Sequence, residues 1–400
     1  MCVAVLSVAA QPAEPDDGAY RASIVAITEG HLLSLSRSEA EALAAKLGDN
    51  PAAPPNQWVQ LSDGRFISEK DPGYPFLAAP FQAVGLIRGA PLCFGALACL
   101  GLFIGARRWL GRFGGFGAVG LYCSSGAALA FAWRDYMPTF TDASLVAAGC
   151  GVLLWALLAT EAGSRRRTGA GLAGFVALEL ATFVRYTDIV ILGCAVVAVL
   201  AAWRVANLRL ARGTLGVWLL SVAAFCVGLA LFDDLVYGAP LRSGYQPGEV
   251  TFTLGALGPN LRLLPAHLVQ AMPMLVLGVA ALAWIVVQRL RSRRAGAKLR
   301  AVAGRDLMVA VALAGSWFAI WGLYLTYDWT TDPTNVAVQD VRFYLPAIGP
   351  ISLLGAWLTT RVPHPNRRAG VSVVLVAVMY CLGIWSFHAM YAAFGISLRS

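Results

Sequence analysis

The chain has 400 residues, 58% of them hydrophobic and 13% charged, with a mean hydropathy of +0.65. A soluble domain carries nearer a quarter of charged residues, which excludes one here. The net charge of +9 lies in short basic runs between apolar segments, as membrane topology requires, and argues against a nucleic-acid binder. Eight cysteines without a CxxC and four isolated histidines without an HExxH indicate neither a zinc site nor a disulfide framework.

Apolar stretches of about 20 residues recur, the length that crosses about 30 Å of hydrocarbon as helix. Lipid gives the backbone no hydrogen-bond partners, and the alternation of a barrel is absent. The expected fold class is therefore all-α, a polytopic transmembrane helical bundle. Met1 to Ala10 is apolar, too short to span and without the basic start of a signal peptide; it reads as the tail of a first transmembrane helix whose beginning is missing from this chain. Residues 11–75 form a long polar loop. In it, Tyr20, Ile24 and Ile27 recur at helical spacing and predict a short amphipathic surface helix. Ser38 and Glu41 form a capping-box pattern opening a second helix, and three prolines between Asn50 and Asn56 demand an irregular connection.

Residues 76–400 carry the bundle of about ten helices, at about 76–105, 116–133, 143–161, 170–184, 188–203, 214–232, 266–288, 307–326, 343–360 and 370–393. The 170–203 pair looks short for two crossings and predicts a tight hairpin whose tip, Arg185 to Asp188, dips into the outer half of the membrane. Arg107/Arg108/Arg112, Arg165–Arg167, Arg204/Arg209/Arg212, Arg289–Arg305 and Arg361/Arg367/Arg368 fall in every second connection. The intervening ones hold Asp135 and Asp142, Arg185 and Asp188, Asp233 and Asp234, and Asp328 to Asp340. The arginine-rich loops are therefore expected in the cytoplasm, with the long loop and the acidic loops outside.

Four groups of polar residues gather on that outer side. Asp16-Asp17 suits either general-base chemistry or simple capping of the helix that carries Tyr20. In Glu69-Lys70-Asp71-Pro72-Gly73-Tyr74, Lys70 can anchor a phosphate, and Glu69 can pair with it, bind a cation or hold a sugar hydroxyl. Tyr74 alone reads as an interfacial anchor. Asp142 opens a span from the outer face, as a substrate-facing carboxylate or an N-cap. Arg185, Arg242 and Arg342 lie at the same level, each a phosphate ligand or a snorkelling anchor, with a structural Glu179–Arg185 pair as the alternative for Arg185.

In order and spacing these landmarks resemble the GT-C glycosyltransferases, in particular the bacterial branch related to protein O-mannosyltransferases and lipid A aminoarabinose transferases. The acidic pair followed by Tyr20 fits, with Asp17 where Glu is usual. So does Glu69-Lys70-Asp71-Pro72, with Asp71 in place of the first proline and Ile67 where an aromatic is common. Asp142, Arg185-Tyr186, the Tyr237-to-Tyr245 stretch and Arg342-Phe343-Tyr344-Leu345-Pro346 complete the series. The resemblance implies inverting transfer of a sugar from a polyprenyl-phosphate donor to a hydroxyl of a glycan, lipid or protein acceptor at the outer face of a bacterial plasma membrane. It implies Asp16 as base and Asp17 or Asp142 orienting the acceptor. Lys70 with Arg185 or Arg342 would neutralise the phosphate, Glu69 and Tyr74 would lie on the donor side, and Tyr20 and Tyr245 would be acceptor or loop contacts. The resemblance makes no cofactor certain, and Glu69 would fix either the donor or a divalent cation. The competing readings are a transporter or flippase of lipid-linked sugars and a non-catalytic polyprenyl-lipid-binding paralogue.

Overall fold

The computed structural model describes residues 15–31, 34–159, 164–204, 210–245, 248–292, 297–335, 337–361 and 365–393, so the Met1–Ala10 segment lies outside the described residues. The chain opens on two short helices, α1 (Pro15–Thr28) and α2 (Arg37–Leu47), followed by a hairpin of β1 (Trp58–Gln60) and β2 (Phe66–Ser68) with Val59 opposite Ile67. α1 and α2 pack on the hairpin through Ala22, Val25, Leu43 and Phe66. The box that opens α2 is Ser36 with Glu39, two residues ahead of the expected Ser38 and Glu41. Ser36 wins because its backbone is extended and its hydroxyl accepts from the Glu39 amide, while Glu39 answers the Ser36 amide at 2.7 Å.

Then come α3 (Gly73–Ala83), α4 (Gly89–Leu110), α5 (Arg112–Cys123), α6 (Gly126–Ala132), α7 (Thr139–Leu158), α8 (Arg165–Val184), α9 (Ile189–Arg204) and α10 (Arg212–Tyr237). α11 (Leu257–Ala271), α12 (Leu275–Ser292), α13 (Ala297–Tyr324), α14 (Ala337–Val341), α15 (Ile348–Thr359) and α16 (Pro365–Ala393) complete it. Each of the ten apolar stretches holds helix. Among the described residues seven helices are long and apolar enough to cross a membrane, or nine if each of two bent pairs is one span. The chain is a multi-pass membrane protein.

Three predicted spans are not the straight rods expected. The 76–105 stretch is divided by a turn around Gly85, whose φ of +71° favours glycine, into α3 and α4. The 116–133 stretch bends by 66° between α5 and α6, and 266–288 bends by 104° between α11 and α12, at Met272-Pro273-Met274, where the proline offers no amide. The expectation of a short re-entrant 170–203 hairpin is corrected. α8 begins at Arg165 and has 20 residues, and residues 186–204 make a second helix of span length. Its extra turn forms because Arg167 folds back onto the carbonyls of Ala156 (2.8 Å) and Leu157 (3.2 Å) at the end of α7.

α7 is buried nearly throughout and is the axis of the bundle. α4 lies against it at backbone distance: a Cβ on Gly101 would come within 2.6 Å of Ala148 Cα, and one on Gly105 within 2.2 Å of the Gly151 carbonyl oxygen. Small residues four apart let two apolar helices gain dispersion contact where lipid gives no hydrophobic drive. The helix ends sort into two sets. Arg108, Arg167, Asp306 and Arg361 gather at one end, and Asp16, Lys70, Arg134, Arg185 and Arg342 at the other.

Candidate functional site

Asp16 and Asp17 are consecutive residues in the first turn of α1, so their side chains leave the axis about 100° apart and cannot share a partner. They separate. Asp16 Oδ1 lies 3.1 Å from Lys70 Nζ and accepts from Gln57 Nε2 at 3.0 Å, and Asp16 Oδ2 lies 3.0 Å from an Arg342 guanidinium nitrogen. Asp17 turns inward, 2% exposed, and pairs with Arg134. Asp17 therefore braces the site from behind and does not stand beside Asp16 in it.

Each cation around Asp16 is aimed by its own surroundings. Lys70 follows β2, pairs with Glu69 Oε1 at 3.1 Å and rests on the Tyr245 ring, 4.8 Å from its centroid. The loop carrying Tyr245 comes so close that a Cβ on Gly244 would sit 2.5 Å from Glu69 Cα. Arg342 lies over Trp329 (5.0 Å) and Phe343 (4.7 Å), whose ring faces favour a cation. Gln57 holds φ at +60°, an uncommon left-handed conformation for a side chain of its type. Its Nε2 is committed to Asp16, and its Oε1 is buried without a hydrogen-bond partner.

The electrostatics follow. Burial pushes the Asp16 carboxyl up, but Arg342, Lys70 and the Gln57 hydrogen bond outweigh it and hold it at about 2. Glu69 is raised by burial, with Lys70 opposing. Asp71 is raised by burial to about 7, although the Tyr186 amide donates to it at 3.4 Å and Arg185 and Lys70 lie near. Asp135 is raised by burial to about 6, with Arg88 opposing from 3.4 Å.

A second layer lies beneath. Arg185 Nε is 3.4 Å from Asp142, and its guanidinium donates to Thr139 Oγ1 (3.3 Å) and to the Arg342 carbonyl (3.1 Å). Asp142 is wholly buried beside Arg185 and does not open onto a cleft as expected. The Glu179–Arg185 pair is not formed: Glu179 accepts from Ser221 at 2.8 Å, and Arg185 turns to Asp142. Tyr74 is fully buried with its hydroxyl donating to the Asp135 carbonyl, and Tyr20 packs edge-on against it with centroids 6.1 Å apart. Both support the site from within, and Tyr74 is not an interfacial anchor. Arg242 is exposed and lines a groove together with Tyr245. Gln57 is a site residue that the motifs do not mark, and Asp71, within the Glu69-Lys70-Asp71-Pro72 run, joins the site through the Tyr186 amide. His267, expected to be isolated, meets Asp340 at 3.0 Å, two residues from Arg342, a pairing across 73 residues of sequence. Among the described residues no group of three or more His, Cys, Asp or Glu side chains is arranged to hold a metal ion.

One cavity flanks the cluster, and a second lies toward the arginine-rich end of the bundle. A polar groove of about 450 Å³ runs between the hairpin and the end of α10, lined by Gln60, Asp63, Arg65, Arg242, Ser243 and Tyr245 among others. An apolar groove of about 480 Å³ runs down between α7, α9 and α13, from Cys150 and Gly315 to Leu157 and Gly304.

No family model and no curated protein sequence matches this chain. Solved structures do. ArnT from Cupriavidus metallidurans bound to undecaprenyl phosphate superposes with a TM-score of 0.53 at 16% identity, covering 93% of this chain and 60% of that one. Its apo form gives 0.53 at 14% identity, covering 96% and 62%. The apo Archaeoglobus fulgidus oligosaccharyltransferase gives 0.52 at 10% identity, covering 93% and 52%. Both are enzymes of GT-C fold, and this chain shares that fold. It spans about 60% of the length of the ArnT structure.

Proposed function

We propose that this protein is an integral membrane glycosyltransferase that moves a sugar from a polyprenyl-phosphate donor to an acceptor hydroxyl, with inversion, at the extracytoplasmic face of a bacterial plasma membrane. One observation carries the reading: a single carboxylate, Asp16, is held between two aimed cations, Lys70 and Arg342, at the mouth of the bundle. A hydroxyl has a pKa far above neutral and needs a carboxylate base at attack distance. A departing phosphate needs positive charge fixed before the reaction begins.

The roles divide accordingly. Lys70 and Arg342 take the donor phosphate, Arg185 fixes the Arg342 backbone from below, and the prenyl tail lies along the apolar groove. The acceptor comes along the polar groove, past Tyr245. Its oxygen attacks the anomeric carbon as its proton passes to Asp16. The carbon–oxygen bond to phosphate breaks with the electron pair going to the phosphate oxygen, which the two cations neutralise. Attack from the side opposite the leaving group inverts the centre. The likeness of fold to an enzyme solved with undecaprenyl phosphate supports the donor class. Metal dependence is a matter for chelation and add-back assays.

In membranes supplied with labelled polyprenyl-phosphate sugar, Asp16→Asn is expected to insert and fold but lose transfer about 10²- to 10⁴-fold, the usual worth of a general base. Full activity in that variant removes the base. Translocation of the labelled lipid without its consumption would instead establish a flippase.

A further inference from the structure

Asp16 as it stands is a poor base. Three of its roughly four acceptor positions are filled, by Lys70, Gln57 and Arg342, and two of those partners are cations. A carboxylate so paired has little affinity for a proton. Both cations are also the groups that a phosphate would recruit. Lys70 is already divided between Asp16 and Glu69, 3.1 Å from each, and the long side chains of Lys70 and Arg342 can swing. Gln57 differs: it is neutral, has nothing to offer a phosphate beyond its amide donors, and is fixed by its backbone.

We infer that the ligand-free site is masked and that the donor itself arms the base: the donor phosphate draws Lys70 and Arg342 off Asp16, which stays in place on Gln57 with Oδ2 open to the acceptor hydroxyl. This rests on the reading of the site as a polyprenyl-phosphate glycosyltransferase centre. The charges balance at each stage. Asp16, Glu69, Lys70 and Arg342 sum to zero without ligand. The donor phosphodiester brings one negative charge, which the cations follow, restoring the proton affinity of Asp16. After transfer Asp16 carries the acceptor's proton and is neutral, and the polyprenyl phosphate holds both cations. When that product leaves, the proton goes to solvent and the mask re-forms. Donor binding therefore precedes productive acceptor binding. The mask also costs donor affinity, because Asp16 and phosphate compete for the same two cations.

That competition gives an unusual expectation. Purified protein in detergent is titrated with undecaprenyl phosphate, and Asp16→Asn is expected to bind it about tenfold more tightly than wild type, within the range usual for coupled ligands. Equal or weaker binding by a variant with unchanged melting behaviour overturns the mask while leaving the glycosyltransferase reading intact. Absence of binding by both proteins overturns both. Wild type alone supplies a second measurement. Carbodiimide-driven labelling of carboxyls near pH 6, read by peptide mass spectrometry, is expected to rise on Asp16 when undecaprenyl phosphate is added. An unchanged or lower yield on Asp16 overturns the inference even if the variant does not fold.

Discussion

The two ends of the bundle each bury a carboxylate among arginines and aromatic rings, and they use it differently. At the arginine-rich end, Asp306 accepts from the indoles of Trp109 and Trp357 at 3.0 Å each and pairs with Arg361; its side chain is 3% exposed. The indoles are rigid, belong to α4 and α15, and tie those helices to α13. At the other end, Asp16 is 20% exposed and held mainly by the long side chains of Lys70 and Arg342. Tyr245, against Lys70, also walls a polar groove. A carboxylate whose two oxygens are each met by a rigid buried indole, with Arg361 and Arg305 beside it, is a fastener. One met by movable cations beside a cavity is free to exchange them, and chemistry needs that exchange.

Substitution should separate the two ends sharply. Asp16→Asn is expected to slow transfer about 10²- to 10⁴-fold, as set out above, yet leave the thermal midpoint within a degree or two, since Asn keeps the shape and one acceptor oxygen. Asp306→Ala should do the reverse. It leaves two buried indole donors unpaired at about 1–3 kcal/mol each, lowering the midpoint by several degrees, while the protein that remains folded keeps its turnover per molecule. A large midpoint loss in Asp16→Asn, or a normal midpoint in Asp306→Ala, would dissolve the distinction. Lys70→Ala sharpens it further. Losing one charge-assisted contact to phosphate, worth about 1.5–3 kcal/mol, should raise the KM for donor about 10- to 100-fold with a smaller change in kcat. An effect confined to acceptor KM would move Lys70 out of the phosphate site.

Much of this arrangement was legible in the residues. The alternation of arginine with aspartate connections divides the helix ends as the structure does, and Asp16, Lys70 and Arg342 meet though 326 positions separate the first from the last. What could not be read has physical causes. The breaks at Gly85, at Ser124-Ser125 and at Pro273 join apolar halves, so hydropathy runs through them unmarked. The separation of Asp16 from Asp17 is implicit in the 100° helical step but only once α1 is known to begin at Pro15. Glu179 and Arg185 looked like partners, yet Arg185 stands beyond the last turn of α8 in extended backbone and its guanidinium meets Asp142. Gln57 follows a proline-rich connection, and its part depends on a backbone angle that composition does not reveal.

Asp71 offers the smallest and most discriminating test, because its effect should appear only as a dependence on pH. Burial raises its folded-state pKa to about 7 from an ordinary value of 3.8. Between those values the folded protein holds a proton there that the unfolded chain has lost, so stability falls as pH rises through that window and is level above it. Asp71→Asn, which cannot ionise, should remove that fall. Its midpoint should match wild type near pH 4 and exceed it increasingly toward pH 8, where Asp71 carries its charge in the wild type. Glu69 and Asp135, also raised by burial, slope the same way but are common to both proteins and cancel in the difference. Arg185 and Lys70 pull against the shift, so Lys70→Ala, by withdrawing one of them, should push the wild-type fall to higher pH. Parallel wild-type and Asp71→Asn profiles from pH 4 to 8 would mean that Asp71 stays ionised throughout, and that the cations of this end reach it as fully as they reach Asp16.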